Sequence, residues 1–240
     1  MPELPEAETI ARDIARRVTG AVLTGARVAR PDVLAPGLTP RRLSSALRGR
    51  TIERVGRRGK NVLLELSGPL RLLINLGMTG HVVSSRAPAA AGLGHIAVRF
   101  TLADGSELLY DDARRFGCIA VYGPDEWARR TEELGVEPLS DEFTAHRLFE
   151  LTRASITPLR NWLLDQTRVA GVGNIYANEA LFRAGVRPTR RARRLTRAEA
   201  GRLRDGLRDV LREAIEARGT TFSSYRDGEG AEGGFEPRLR

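Results

Sequence analysis

Apolar residues recur at two different periods along this chain of 240 residues, and the change of period divides it. Near the N-terminus Ile10, Ile14 and Val18 stand four apart, which predicts one apolar stripe on a helix within Pro2–Val18. Pro5 suits its first turn, and Glu6 and Glu8 suit the positive end of its dipole. From Val22 to Tyr122 short apolar runs predict strands at Val22–Val28, Thr51–Val55, Val62–Leu66, Leu72–Leu76, His81–Val83, Ile96–Leu102, Glu107–Tyr110 and Cys118–Tyr122. Gly- and Pro-containing turns separate them, so the region reads as a β-sandwich or barrel. Pro40–Leu47 reads as a short helix, and the Ala/Pro/Gly-rich stretch Arg86–Gly94 as a mobile loop.

After about Gly135 the period becomes helical. Thr157-Pro158 reads as an N-cap and first-turn proline for a helix ending at Leu164. Asn174–Ala184 predicts a second helix, stopped by Gly185. Thr196 and Glu199 make a capping box for a third, with Leu203, Leu207, Val210, Leu211 and Ala214 on one face. The fold class is therefore α+β: a β domain with a flanking helix over 1–135, a helical domain over 136–219, and a Gly-, Ser- and charge-rich tail over 220–240.

The charge narrows the function. Thirty-nine basic against thirty acidic residues leave a formal +9, which points to a polyanion, nucleic acid before membrane. No apolar run approaches a membrane span, and no signal peptide opens the chain, so a cytoplasmic protein is expected. One cysteine, Cys118, excludes an internal disulfide and a four-cysteine zinc site. Lys60 is the sole lysine. Where arginine is written everywhere else, a retained amine marks a place for proton transfer, or else an accident of a strong arginine bias.

Six segments carry candidate chemistry. In Met1-Pro-Glu-Leu-Pro-Glu, loss of Met1 makes Pro2 a secondary amine whose pKa near 8 leaves a nucleophilic fraction at neutral pH. Glu3 and Glu6 place carboxylates beside it, although the same residues also suit an ordinary helix start. Arg57-Arg58-Gly59-Lys60 reads as a phosphate-gripping hairpin turn or a solvated one. Leu76-Gly-Met-Thr-Gly80 offers Met78 as an apolar wedge, or as a side chain folded back into the core. Arg114-Arg115-Phe116-Gly117 joins two guanidiniums to a ring that can stack or be buried. Gly171-Val-Gly-Asn174 precedes a helix whose N-terminus favours an anion, or forms a plain helical hairpin. Arg187–Arg194 reads as a phosphate-facing linker or a solvated charge run.

Taken together, in this order and spacing, these segments resemble the formamidopyrimidine-DNA glycosylase family from residue 2 to about residue 236. The resemblance implies an N-terminal β-sandwich followed by a helix–two-turn–helix domain. It implies Pro2 as the Schiff-base nucleophile toward C1′ of a damaged nucleoside, Glu3 as the acid in sugar opening, and Glu6 as a further active-site carboxylate. Lys60 would contact the phosphate near the lesion and assist elimination. Met78, Arg114 and Phe116 would fill the space left by a flipped nucleotide; Arg115 and Asn174 would hold phosphates, and His95 would contact DNA. The partner implied is damaged double-stranded DNA bound by a monomer, without a membrane. The reaction implied is removal of oxidised purines (8-oxoguanine and formamidopyrimidines) followed by strand cleavage at the abasic site. Pro-Glu-Leu-Pro-Glu resembles this purine branch more than the oxidised-pyrimidine branch, which usually starts Pro-Glu-Gly.

The family also implies a C-terminal zinc finger with four cysteines. No cysteine follows Cys118, so no cofactor is expected in this chain, and residues 220–240 read as a lesion-recognition loop and a lead-in to that finger. A DNA-binding relative that does not cut, and an oxidised-pyrimidine glycosylase, are the competing readings.

Overall fold

The structure is a computed structural model, and it describes residues 2–221, 227, 229 and 231–235. The first helix, α1 (Leu4–Val18), has Pro5 in its opening turn and buries Ile10, Ile14 and Val18 as the spacing predicts. It buries much more than one stripe, because it lies between two bodies: Ala7 to Val18 pack into the β-sheet core, while Leu4 belongs to the core of the helical part.

Eight antiparallel strands follow: β1 (Val22–Val28), β2 (Arg50–Arg58), β3 (Asn61–Leu66), β4 (Leu70–Asn75), β5 (Gly80–Ser84), β6 (Ile96–Leu102), β7 (Glu107–Asp112) and β8 (Cys118–Tyr122). Their spatial order is β5-β7-β6-β1-β2-β3-β4-β8. The halves β5-β7-β6-β1 and β2-β3-β4-β8 join through just two paired positions, Val22 with Thr51 and Leu23 with Arg50. Val98, Phe100 and Leu108 from one half meet Val62, Leu64 and Ile74 from the other in a single buried cluster. That is the sandwich expected from the apolar runs and turns, with α1 and α2 (Pro40–Leu47) packed into the same core. A short 3-10 turn, Pro88–Gly92, interrupts the stretch read as a loop.

The helical part has two elements the periodicity did not reveal, α3 (Pro124–Glu133) and α4 (Ala145–Arg153). No described residue of α3 is fully buried, and its half-buried face, Trp127, Arg130 and Thr131, is mostly polar, so the sequence shows no apolar stripe there. Next come α5 (Leu159–Leu164), α6 (Asn174–Ala184) and α7 (Arg197–Glu216). The N-cap of α5 is Pro158 rather than Thr157, one residue later than expected. Gly185 ends α6 with φ 64°, and Thr196 with Glu199 caps α7 reciprocally, both as read. Trp162, Tyr176, Leu203, Leu207 and Phe143 form this second core. Thr220 bridges to Gly234, and Phe235 packs near Tyr176 at 6.0 Å between ring centroids. Most of the presumptive lesion loop, 222–226, and the end of the chain, 236–240, lie outside the described residues.

Candidate active site

The N-terminal arm is buried where the two cores meet. Pro2, Glu3 and Glu6 are all buried, Glu3 and Glu6 at 1% exposure. The Glu3 amide donates to Glu6 Oε2 at 2.8 Å. The Glu3 carboxylate crosses to the start of α6: Oε2 accepts from the Gly173 amide at 2.9 Å and the Tyr176 amide at 3.3 Å, and Oε1 from the Ile175 amide at 2.9 Å. Helix N-termini attract anions, and here the anion is Glu3 itself rather than an external phosphate. Glycine is required at 173, since a Cβ there would meet Glu3 Cγ at 2.7 Å.

Burial is the largest influence on Glu3 and, with Glu6 nearby, outweighs the three amides, raising its carboxyl to about 7. Glu6 is also raised by burial, although its Oε1 accepts from the Tyr176 hydroxyl at 2.6 Å and the Thr220 amide at 2.9 Å. Burial likewise pushes the Tyr176 phenol well up, so it remains a donor. Sequence reasoning did not single out Tyr176 or Thr220 as partners of Glu6; they lie 170 and 214 residues away from it.

The turn between β2 and β3 meets the same corner. Gly59 has φ 60°, and Gly171 φ 86°. A Cβ on Gly171 would lie 2.9 Å from both the Gly59 backbone and Leu4 Cβ, and the Leu4 amide donates to Gly171 O at 3.0 Å. One glycine thus brings the Lys60 turn and the Pro2–Glu3 arm to its two sides. Arg57 and Arg58 are neither solvated nor available to phosphates. Arg57 binds Glu8 at 3.0 Å and Glu137 at 2.6 Å; Arg58 binds Glu137 at 2.9 Å and the carbonyls of Leu134 and Gly135. Lys60, half-buried, has neither hydrogen bond nor ion pair among the described residues.

Two loops present the wedge candidates. Met78 is 37% exposed and Phe116 59% exposed, so neither folds back into the core. The Arg114 guanidinium lies over the Phe116 ring at 4.7 Å. Asp112, buried at the end of β7, ties the loops together: Oδ1 accepts from Thr79 Oγ1, and Oδ2 from the Gly117 amide at 2.9 Å and the Tyr110 hydroxyl at 3.0 Å. Gly77 and Gly117 permit the close approach, since a Cβ on Gly77 would meet the Gly117 amide nitrogen at 2.5 Å.

The phosphate-binding candidates are dispersed. Exposed Arg115 takes φ 57° and pairs with Asp32 at 3.1 Å. His95 is exposed, its amide donating to Asp111 at 2.5 Å, and it lines a cavity of about 360 Å³ with Arg30, Asp112 and Arg115. Exposed Asn174 accepts at its Oδ1 from Arg160 at 2.8 Å; Arg160 also reaches Asn178 Oδ1 at 3.0 Å. Arg160 was not legible as a site residue, because a single arginine in an arginine-rich chain carries no local signal. The chain's one cysteine, Cys118, is half-buried in β8, and among the described residues no three His, Cys, Asp or Glu side chains converge. Among the same residues no helix is long and apolar enough to cross a membrane.

Residues 1–119 match the family model of the formamidopyrimidine-DNA glycosylase N-terminal domain, and residues 134–226 that of the formamidopyrimidine-DNA glycosylase H2TH domain. The chain is 43% identical to the formamidopyrimidine-DNA glycosylase of Symbiobacterium thermophilum, covering 100% of this chain and 78% of that protein. It is 42% identical to that of Heliobacterium modesticaldum, covering 100% and 87%. The crystal structure of the MutM (Fpg) protein from Thermus thermophilus superposes with a TM-score of 0.85 at 40% identity, over 99% of this chain and 86% of that one. The Lactococcus lactis Fpg in complex with DNA containing an abasic site superposes with a TM-score of 0.86 at 29% identity, over the same shares. The chain belongs to the formamidopyrimidine-DNA glycosylase family.

Proposed function

We propose that this chain is a base-excision-repair DNA glycosylase that removes oxidised purines from duplex DNA and then cleaves the abasic site as a lyase. The observation that carries it is the meeting of the Pro2–Glu3 arm and the Lys60 turn on either side of Gly171. Once Met1 is removed, the Pro2 amine attacks C1′ of the flipped nucleoside, and the base departs with a proton. Glu3, its carboxyl near 7, is half-protonated at neutral pH, so it can give a proton to the opening sugar and take one back later. The resulting iminium acidifies the neighbouring C2′ proton, whose loss expels the 3′ phosphate. Lys60, free of carboxylates, supplies a cation and an amine for that step. Met78, Arg114 and Phe116 project as a wedge for the vacated stack. Asn174, oriented by Arg160, and Arg115, His95 and their neighbours hold the backbone. The protein acts as a monomer in the bacterial cytosol.

Borohydride trapping on a duplex bearing 8-oxoguanine opposite cytosine tests this. A covalent adduct that weakens in Pro2→Gly, whose α-amine is primary rather than secondary, and disappears when the N-terminal amine is acetylated is expected, together with a weakened elimination step in Lys60→Arg. Binding without any adduct would overturn the catalytic reading. A stronger reaction with oxidised pyrimidines than with 8-oxoguanine would overturn the substrate assignment.

A further inference from the structure

The arginine run after α6 is not used by the site above. Residues 187–194 lie along 155–160 in a hydrogen-bonded ribbon: Leu159 donates to Arg190 O at 2.7 Å, Arg160 to Pro188 O at 3.1 Å, Ala192 to Thr157 O at 3.0 Å, and Arg193 to Ser155 O at 2.9 Å. At one end of the ribbon Arg160 touches Asn174 and Asn178. At the other, the end of α4 and the start of α7 come together. There Arg153 and Arg197 flank the Phe149 ring, with guanidinium carbons 5.3 and 5.2 Å from its centroid. Arg153, Arg193, Arg194 and Arg197 are exposed, and none makes an ion pair among the described residues. Arg190, by contrast, is taken up by Glu199 at 2.6 Å.

The ring contacts favour this grouping, but its like charges oppose one another. Arg153 and Arg197, sharing one ring, are held within about a Debye length of each other at moderate salt, so they repel. Arg197 also sits in the first turn of α7, at the positive end of the helix dipole. A polyanion relieves both costs. The ring holds the two guanidiniums in place, which reduces the side-chain freedom lost on binding. The seven residue steps from Arg160 to Arg153 span at most about 25 Å when extended, or roughly seven base-pair steps along a strand.

We propose that Arg153, Arg193, Arg194 and Arg197, arranged around Phe149, form a second phosphate-binding track that grips the duplex backbone several base pairs beyond Asn174. The proposal rests on the DNA-binding reading of the site around Asn174, and the test separates the two. The probes are two duplexes with the same central abasic-site analogue, extending about 4 and about 14 base pairs on each side, so that only the longer reaches the track. Binding of the full chain is measured from 50 to 200 mM salt.

In Arg153→Ser/Arg197→Ser, the slope of log affinity against log salt on the long duplex should fall by nearly 2, at about 0.9 per lost contact. The slope on the short duplex should match the unaltered protein, and Arg153→Lys/Arg197→Lys should restore the long-duplex slope. Equal slopes for unaltered and Ser-substituted proteins on the long duplex would overturn the track while leaving the Asn174 site intact. An equal fall on both duplexes would also overturn it, as a general loss of charge. Failure of the unaltered protein to bind either duplex would overturn both readings.

Discussion

Gly173→Ala tests whether the start of α6 positions Glu3, the acid proposed above. Gly173 is the N-cap of α6, with φ −126° and ψ −161°, a conformation open to alanine. The added Cβ would meet the Glu3 side chain, including Cγ at 2.7 Å, so Glu3 must leave the three amides it now occupies. Overpacking of this kind costs about 1–3 kcal/mol, and loss of hydrogen bonds to a charged group about 1.5–3 kcal/mol each, offset by whatever water the displaced carboxylate regains. A net loss of about 2–4 kcal/mol follows, which lowers the melting temperature of a chain this size by roughly 5–15 °C. Displacing a positioned acid should also slow the chemical step about 100-fold or more. Gly123→Ala is the control. It also replaces an N-cap glycine, but its Cβ would meet just Glu126 Oε2 at an ordinary 3.7 Å. Single-turnover excision with saturating enzyme, run beside thermal melts, reads both effects. If Gly173→Ala excises as fast as Gly123→Ala, the start of α6 does not position Glu3 for proton transfer, and the reasoning fails.

Three further outcomes are expected. Glu3 is raised to about 7, so a step that needs its acid form should slow as pH rises through 7, and stability present below about 4.5 should be lost over the same rise; Glu3→Gln should flatten both the rate and the urea-unfolding profiles. Tyr176→Phe removes the donor to Glu6 Oε1 in a buried site, and should cost about 1–3 kcal/mol by denaturant titration. Gly117→Ala should disturb the Arg114–Phe116 loop, because its Cβ would meet Asn75 O at 2.5 Å and crowd the Tyr110 hydroxyl; a fluorescent base opposite an abasic-site analogue should then report less stacking while the melting temperature falls.

Much of this molecule was legible along the chain. The short apolar runs between Val22 and Tyr122 located the strands, because each strand sends side chains into one core, and strands such as β3 and β7, buried along nearly their whole length, read as near-continuous apolar runs bounded by turns. Gly185 and the Thr196–Glu199 box marked helix ends, because backbone groups at those ends need local partners. Pro2, Glu3 and Lys60 stood out by residue type, as an imino acid behind Met1, a carboxylate beside it and the one amine among arginines, but each also suited a structural reading, and it was the order and spacing of all the segments that made them site candidates. Helix α3 could not be read, since it buries no residue fully and its half-buried face, Trp127, Arg130 and Thr131, carries just one large apolar side chain.

Charge roles depended on partners that sequence position does not reveal. Arg57 and Arg58 resembled Arg114 and Arg115 as adjacent cations, yet Glu137 claims the first pair at a half-buried seam, while the second pair stays exposed, Arg114 over the Phe116 ring and Arg115 beside Asp32. The anion at α6 is Glu3, from 170 residues away. Local sequence set the backbone's hydrogen-bonding and hydrophobic preferences, which act over a few residues. The ionisation and availability of each side chain followed from burial and long-range contacts, and those exist only once the two cores close on α1.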